Sequence, residues 1–213
     1  MPAFKDEFTD AYDGGDIKCF RAGLTSLDGS PAHVLGNFNC SNNLLVSFSG
    51  GPEVVDGTFN CRGNEITSLG GLPKVGRGLL IGANPLGGLE GCPDLVAGDF
   101  DCSGAGLTSL SGGPTTVDGH YYCQDNKLSD LRGVPAEVEG DFFCWGNQLT
   151  TLSGAPTIVS DNFDCSDNAL EDLSGAPAEV GGNFICFGNP KAFSKKDIEA
   201  VCKVGGKIIL KQV

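Results

Sequence analysis

Residues 138–156 read Val-Glu-Gly-Asp-Phe-Phe-Cys-Trp-Gly-Asn-Gln-Leu-Thr-Thr-Leu-Ser-Gly-Ala-Pro, and this stretch decides the fold of the 213-residue chain. Its pattern, Val-x-Gly-x-Phe-x-Cys-x-x-Asn-x-Leu-x-x-Leu-x-Gly-x-Pro, recurs along nearly the whole sequence every 20 or 21 residues. A fixed period of this length is typical of repeat proteins, in which each unit buries its apolar residues against the next unit. The sequence therefore predicts a stacked array with one continuous core.

Nine repeats between residues 15 and 190 share a central residue that is nearly always cysteine. In repeat 7, Phe142 lies two positions before the central Cys144, and this alternation predicts a short strand with one buried face. An asparagine three positions after the centre, such as Asn147, is expected to bond the backbone of the next repeat. Ala22 and Ala105 interrupt this asparagine column. The central residues of repeats 1 to 9 are, in order, Cys19, Cys40, Cys61, Ile81, Cys102, Cys123, Cys144, Cys165 and Cys186.

The ten cysteines are spaced for stacking and not for a disulfide framework. Equivalent side chains on neighbouring parallel strands lie about 4.8 Å apart, which exceeds the ~3.8 Å between the Cβ atoms of a disulfide. We therefore expect free thiols that pack as small hydrophobic groups in a reducing compartment. The sequence has no Cys-x-x-Cys pair, so the cysteine spacing predicts no zinc site.

Both ends of the array depart from the repeat and are predicted to cap it, because an uncapped core would face water. Residues 1–14 place Phe4, Phe8 and Tyr12 on one face of a helix, which predicts an N-terminal helical cap. Residues 191–213 predict a C-terminal cap made of a helix and a strand. We expect the caps and the repeats of residues 15–190 to form one continuous domain.

The C-terminal cap is predicted to start at Ser194, a typical N-cap residue, with a helix over residues 195–203. Ile198, Val201 and Cys202 are expected to form the buried face of this helix. Two glycines then lead into an apolar run at 207–210, which predicts the last strand.

The motif Phe-x-Cys-x-x-Asn-x-Leu-x-x-Leu, which recurs over about residues 15–190, resembles the leucine-rich-repeat pattern. The repeat length and the run Asn-Glu-Ile-Thr-Ser-Leu at 64–69 look like the short bacterial type, found in host-targeted effectors of enteric pathogens. The Gly-x-Pro-x-x-Val-x-Gly connection departs from the effector pattern and looks more like repeat proteins predicted in tailed phages and bacteria. The resemblance implies an α/β-type repeat solenoid that is mostly β. Such a leucine-rich-repeat solenoid is right-handed, with a parallel concave sheet and few helices except the terminal caps.

The chain carries a net charge of −13, from 27 acidic and 14 basic residues. This charge disfavours nucleic acid and anionic membranes as partners, because both would be repelled. No apolar run approaches the ~18 residues of a membrane-spanning helix, and the acidic N-terminus does not look like a signal peptide. Together with the free thiols, these features predict a cytoplasmic protein.

No catalytic constellation is evident, so we expect a protein that is not an enzyme and needs no cofactor. His33 and His120 fall in different repeats, and no nucleophile can be placed beside either. The cysteines belong to the predicted core, where thiols are inert. Asp161, Asp164 and Asp167 suggest a calcium loop at first sight, but their spacing is not that of an EF-hand. We therefore predict no metal site.

The residues that flank each core cysteine point away from the core and are left free by the repeat. In repeats 2–5 they are mostly small or polar, such as Asn39 and Ser41, with Leu80 as an exception. In repeats 6, 7 and 9, aromatic and aliphatic residues with acidic neighbours replace them, whereas repeat 8 has Asp164 and Ser166. Exposed aromatic groups with a polar rim are typical of protein-binding surfaces. The predicted partner-binding residues are His120, Tyr122, Gln124, Phe143, Trp145, Asp101, Asp141, Asp164, Ile185 and Phe187.

Purely structural roles stay open for the apolar residues of this surface. Tyr122, Phe143 and Trp145 would stabilise the sheet as cross-strand pairs, and the C-terminal cap would cover Ile185 and Phe187. We favour the binding of a protein whose contact surface is basic. In a phage or bacterial setting, which the resemblance alone implies, this would be a host protein.

The charge distribution suggests a second function, that of a structural or self-assembling component. Residues 191–213 hold 6 bases and 2 acids, a net charge of +4, whereas residues 24–190 hold 5 bases and 20 acids, a net charge of −15. In such a component the basic C-terminal segment of one copy would contact the acidic repeats of another.

Overall fold

The computed structural model describes residues 2–7 and 14–211, and it is a parallel β-solenoid of about nine turns, each of ~21 residues. Nearly all of its regular structure is β. The described chain contains two short helices, Phe4–Glu7 and Lys195–Glu199. The sequence period therefore predicted the stacking correctly, and the mostly-β solenoid is confirmed.

Each repeat contributes one two-residue strand to a ten-stranded parallel sheet, the major sheet, whose last strand comes from the C-terminal cap. Neighbouring strands pair in the register of the sequence period, so that Tyr121 lies opposite Phe142 and Tyr122 opposite Phe143. The first residue of a strand faces the core, and the second lies on the opposite side, the outer face of the major sheet. In order, the strands are Ile17–Lys18, Phe38–Asn39, Phe59–Asn60, Leu79–Leu80, Phe100–Asp101, Tyr121–Tyr122, Phe142–Phe143, Phe163–Asp164, Phe184–Ile185 and Ile208–Ile209.

A second set of parallel strands begins five residues earlier in the repeat, and most of its strands are joined to the major strand through the recurring spacing Val-x-Gly-x-Phe. These strands were not predicted from the sequence, although their buried valines form a regular column. They form three short sheets in chain order. These contain His33–Val34, Val54–Val55 and Lys74–Val75; then Leu95–Val96 and Thr116–Val117; then Glu137–Val138, Ile158–Val159, Glu179–Val180 and Lys203–Val204.

The core consists of parallel columns that receive one apolar residue from each repeat. In the aromatic column, the ring centroids of Phe142 and Phe163 are 5.8 Å apart, and the ring planes differ by 9°. All ten cysteines lie in the described chain and are unpaired, as predicted. Burial raises the pKa of the Cys19 thiol to about 12. This thiol therefore stays protonated at neutral pH and packs as a hydrophobic group.

The buried asparagines join successive repeats through their amide groups. Asn147 Nδ2 donates to the carbonyl oxygens of Cys144 at 3.0 Å and Cys123 at 3.1 Å. Its Oδ1 accepts from the Leu128 N–H at 3.0 Å. The predicted bonding to a neighbouring backbone is thus confirmed, but the neighbour is the preceding repeat and not the next one. Each asparagine satisfies polar backbone groups that would otherwise be buried without partners.

The N-terminal helix packs on the first repeats through Phe4, which is buried. Its ring lies 6.2 Å from that of Phe38, at the start of the aromatic column. Phe8 and Tyr12, which were predicted to continue this helical face, lie outside the described residues. The described part of the cap therefore covers the core with one aromatic ring.

The C-terminal helix begins as predicted, with a capping box at Ser194. Its Oγ accepts from the Asp197 N–H at 3.3 Å, and the Asp197 carboxylate accepts from the Ser194 N–H at 2.7 Å. Reciprocal bonds of this kind satisfy backbone donors that have no partner inside a helix.

The same helix is shorter than predicted, because it ends at Glu199. Ile198 and Cys202 are buried, but Val201 is 43% exposed. The prediction that Val201 is buried was wrong, because the chain leaves the helix before this residue, which no longer shares the face of Ile198. The predicted last strand is present as Ile208–Ile209.

Candidate binding surface on the outer face of the major sheet

Three large side chains form the centre of the candidate surface, and we call Tyr122, Phe143 and Trp145 the aromatic patch. All three are half-buried; Tyr122 and Phe143 lie on adjacent strands, and Trp145 follows two residues after Phe143. The rings of Tyr122 and Phe143 have centroids 5.4 Å apart, and the His120 ring stacks on Tyr122 at 5.5 Å with planes 16° apart. The structure thus brings the predicted site residues His120, Tyr122 and Phe143 into contact, with Trp145 two residues beyond Phe143 in the chain.

His120 belongs to a ladder of side-chain acceptors in the turns before several of the major strands. Its backbone N–H donates to Asp99 Oδ1 at 3.0 Å, and its ring Nδ1 accepts from the Asp141 N–H at 2.8 Å. Asp141 Oδ1 in turn accepts from the Asn162 N–H at 3.0 Å. Since Nδ1 accepts, the neutral imidazole carries its proton on Nε2. His120 and Asp141 therefore have a structural role in addition to their position at the candidate surface.

Negative charge lies beside Tyr122 of the aromatic patch. Burial, and then the charges of Asp141 and Asp99, raise the pKa of Tyr122. The phenol is therefore neutral at physiological pH and offers a hydrogen-bond donor beside carboxylates. Such a surface has the polar rim and the electrostatic field that suit a cationic contact.

Asp101 and Asp164 occupy equivalent positions but have different surroundings. Asp101 is buried and forms an ion pair with Arg62 from two repeats earlier. Gly82 leaves the intervening position open, because a Cβ there would lie 2.8 Å from Asp101 Oδ1. Asp164 accepts from the Ser166 N–H at 2.9 Å and from its hydroxyl at 2.6 Å, and burial is the main cause that raises its pKa. Asp101 is thus engaged within the protein.

The remaining predicted residues lie beside the patch. Gln124 is half-buried, and its buried Oε1 has no hydrogen-bond partner among the described residues. Ile185 pairs in register with Asp164 on one side and Ile209 of the C-terminal cap on the other. Phe187 is half-buried two residues further on. The last strand thus lies beside Ile185 in the sheet and leaves its outer face partly exposed.

One cluster of potential metal ligands was not predicted from the sequence. One ligand atom from each of His120, Asp141 and Asp161 lies within 4.8 Å of the other two. The interval of 21 residues between His120 and Asp141 could have indicated this proximity, since it equals the repeat period. By contrast, Asp161, Asp164 and Asp167 form no cluster of this kind with one another in the described chain.

The thiols are poor nucleophiles. Burial raises the pKa of Cys92 to about 12 and that of Cys202 to about 11. It also raises the pKa of Cys102 well above its ordinary value. Since the thiolate is the reactive form, these side chains are not activated for covalent catalysis.

Comparisons of the chain with protein-family models, with curated proteins and with solved structures gave no match. Of the helices in the described chain, none has the length and apolar character needed to span a membrane.

Proposed function

We propose that this protein is a non-enzymatic binding module that holds a partner protein on the outer face of the major sheet, centred on the aromatic patch. The observation that carries the proposal is the contact between the half-buried rings of Tyr122 and Phe143 on adjacent strands, with the half-buried Trp145 two residues beyond Phe143. The solenoid does not require aromatic residues at these positions. Equivalent positions in repeat 2 are Asn39 and Ser41.

The aromatic residues also replace a local hydrogen bond that other repeats make. Asn39 Oδ1 accepts from the Ser41 N–H at 3.1 Å, and Asn60 Oδ1 accepts from the Arg62 N–H at 3.1 Å. The ring of Phe143 has no acceptor for the equivalent N–H of Trp145. A repeat that gives up this bond and leaves its rings partly in water gains only the cross-strand ring contact for the fold, which favours a role in binding.

The expected partner has Lys or Arg at its contact surface. The chain carries a net charge of −13, and Asp99, Asp141 and Asp161 lie near the patch. A field of this sign steers basic proteins and repels nucleic acid and anionic membranes. The aromatic rings then serve as anchors that lose contact with water on binding.

We further propose that the solenoid is a right-handed leucine-rich-repeat protein whose major sheet is concave. The Asn147 amide supports this relationship, because it bonds the strand and the turn as the asparagine of the leucine-rich-repeat pattern would. The unpaired cysteines support a reducing, cytoplasmic compartment. A phage or bacterial protein that binds a host protein fits these properties.

The test is capture of a partner from a bacterial lysate with three baits: the wild type and two variants. The double variant Phe143→Asn/Trp145→Ser gives repeat 7 the outer residues of repeat 2, including the Asn-to-Ser hydrogen bond. Leu80→Ala removes a half-buried apolar group on the same face, outside the patch. We expect the double variant to lose at least ~30-fold in affinity, since a single hot-spot residue contributes about 2 kcal/mol or more. Capture that survives in the double variant, or is lost equally with Leu80→Ala, would contradict the proposal.

Self-assembly is the second candidate, and the C-terminal end of the solenoid favours it. An open depression of about 660 Å³ lies there, lined by Ile208 and Leu210 together with Lys207 and Lys211. The strand Ile208–Ile209 pairs with Phe184–Ile185 on one side, and its other edge bears no strand of the described chain. An unpaired edge beside lysines suits the acidic repeats of another copy.

Size measurements at low and high salt separate the two candidates. An assembly held by Lys207 and Lys211 would dissociate at high salt and would fail to form in the variant Lys207→Glu/Lys211→Glu. A monomer at every salt concentration would exclude assembly and leave the binding module.

A further inference from the structure

We propose that His120, Asp141 and Asp161 form a binding site for a divalent transition-metal ion such as Zn²⁺. The three residues belong to three successive repeats, and one ligand atom of each lies within 4.8 Å of the others. Stacking therefore creates a nitrogen–oxygen–oxygen set from residues that are distant in sequence. This inference goes beyond the proposed protein binding and does not depend on it.

The distances fit a shared ion. His120 Nδ1 and Asp141 Oδ2 are 3.3 Å apart. Two ligands at about 2.0–2.1 Å from a tetrahedral zinc ion lie roughly 3.3 Å from each other. Asp141 Oδ1 is occupied by the backbone and side-chain amides of Asn162, at 3.0 and 2.8 Å. These bonds fix the carboxylate with Oδ2 directed towards the imidazole.

The hydrogen bonds of His120 favour the neutral tautomer whose Nδ1 can bind a metal ion. Its Nδ1 lone pair accepts the Asp141 N–H at 2.8 Å, so Nδ1 carries no proton in the neutral ring. A metal ion at Nδ1 takes the place of this N–H, and the site exchanges one backbone hydrogen bond for a metal–nitrogen bond. No proton has to leave the ring for the ion to enter.

The ligand set selects the class of ion. Ca²⁺ and Mg²⁺ take oxygen ligands, whereas an imidazole with carboxylates suits Zn²⁺ and its neighbours in the first transition row. Asp99, whose carboxylate accepts the His120 N–H at 3.0 Å, adds a negative charge beside the site. Three protein ligands also leave a coordination position for water.

The cysteines do not compete for this ion in the folded protein. The central thiols are buried in the core, and the half-buried Cys92 has a pKa raised to about 12 by burial. Metal binding requires the thiolate. A site of nitrogen and oxygen atoms is therefore distinguishable by spectroscopy from capture by sulfur.

The second histidine provides a matched control. His33 Nε2 lies 2.9 Å from Asp56 Oδ1, both side chains are about half exposed, and among the described residues no third metal ligand joins them. His33 thus forms a pair where His120 forms a triad, and loss of His33 should leave metal binding intact.

The experiment is a titration of the purified full chain with Co²⁺, followed by competition with Zn²⁺. The variants are His120→Asn, Asp161→Asn and the control His33→Asn. His120→Asn keeps an acceptor in the ladder, since Asn162 Oδ1 accepts the Asn183 N–H at 2.9 Å in the same way two repeats later. Asp161→Asn removes a charge from an exposed side chain, so it tests the site even if His120→Asn were to perturb the fold.

We expect the wild type and His33→Asn to bind one Co²⁺ ion, with visible bands of a nitrogen–oxygen site and no sulfur-to-metal charge transfer. His120→Asn and Asp161→Asn should weaken binding by roughly 100-fold or more, because even the loss of a residue that only orients a ligand typically costs ~10–100-fold. Lack of saturable binding by the wild type, unchanged affinity in both variants, or a sulfur-to-cobalt band would overturn the proposal.

Discussion

The outer face of the major sheet differs sharply between repeats 2–5 and repeats 6–7, although the same core columns run beneath both. In the first region, polar groups are satisfied inside the protein: Asp101 accepts from the Ser103 N–H at 2.9 Å and pairs with Arg62. In the second, Tyr122 and Phe143 occupy the equivalent positions and contact each other, with their exposed parts in water. A regular scaffold thus leaves its surface free to vary.

The difference indicates which residues support the fold and which are available for a partner. The polar residues of repeats 2–5 bond their own turns or a neighbouring repeat. Among the described residues, the rings of the aromatic patch make no such bond. Binding is therefore expected to depend on the second region alone, whereas stability is expected to depend on columns shared by both.

The largest effect is expected from the asparagine column that lies under both regions. Asn64 and Asn147 make equivalent bonds to two neighbouring carbonyl oxygens and one N–H each. Replacing either by alanine leaves these buried backbone groups without partners. We expect a loss of about 3–5 kcal/mol in the free energy of unfolding for each variant.

Urea unfolding followed by circular dichroism measures this loss, with the exposed Gln148→Ala as control. A large difference between Asn64→Ala and Asn147→Ala would show that the two regions do not share one scaffold.

A smaller loss is expected when the ion pair of the first region is broken. Asp101→Asn keeps an acceptor for the Ser103 N–H but removes the charge that faces Arg62. Breaking a fully buried pair costs about 3–5 kcal/mol. The Arg62 side chain is 37% exposed, so screening reduces the expected loss to about 1–2 kcal/mol. A double-mutant cycle with Arg62→Gln isolates the pair, and a coupling energy near zero would contradict this account of repeats 2–5.

Replacing Asp164, the equivalent carboxylate of repeat 8, should give the smallest effect, and it should stabilise the protein where the previous two changes destabilise it. Burial raises the pKa of Asp164 above its ordinary value of 3.8. The folded protein then binds more protons than the unfolded chain between the two pKa values, so stability falls as the pH rises through this window. We expect Asp164→Asn to remove this decrease and to raise the stability at neutral pH by less than about 1 kcal/mol. The free energies of unfolding of the wild type and Asp164→Asn are measured between about pH 3 and 7. We expect the wild type to lose stability relative to the variant as the pH rises, and a gain relative to the variant would contradict the prediction.

Much of the scaffold could be predicted from the sequence, because stacking imposes the same requirement on every repeat. The major sheet, the buried Phe142 and Cys144 columns and the unpaired thiols all follow from the 21-residue period. The strands of the second set are as short as those of the major sheet, but only one buried residue, usually valine, recurs in each, and the outward residue varies freely, as His33 and Glu137 show. They were missed because period-two alternation needs a second buried residue two positions away, as Cys144 is from Phe142 in the major strand.

Contacts between repeats were harder to predict than the columns. Arg62 pairs with Asp101 across repeat 4, where Gly82 leaves room for the Asp101 carboxylate. His120 and Asp141 meet because equivalent positions of successive repeats are stacked on each other. Such contacts depend on side-chain length and direction, which the repeat pattern does not contain.

Trp145 allows the central claim to be tested directly, because it is the single tryptophan of the chain and lies in the aromatic patch. The measurement is its fluorescence while purified captured partner is added, with a partner whose own tryptophans are replaced or spectrally subtracted. If the patch is the contact, Trp145 emission should shift to shorter wavelength and become protected from a soluble quencher, at the same concentrations at which the complex forms. Complex formation that leaves both the emission and the quenching of Trp145 unchanged would contradict the claim.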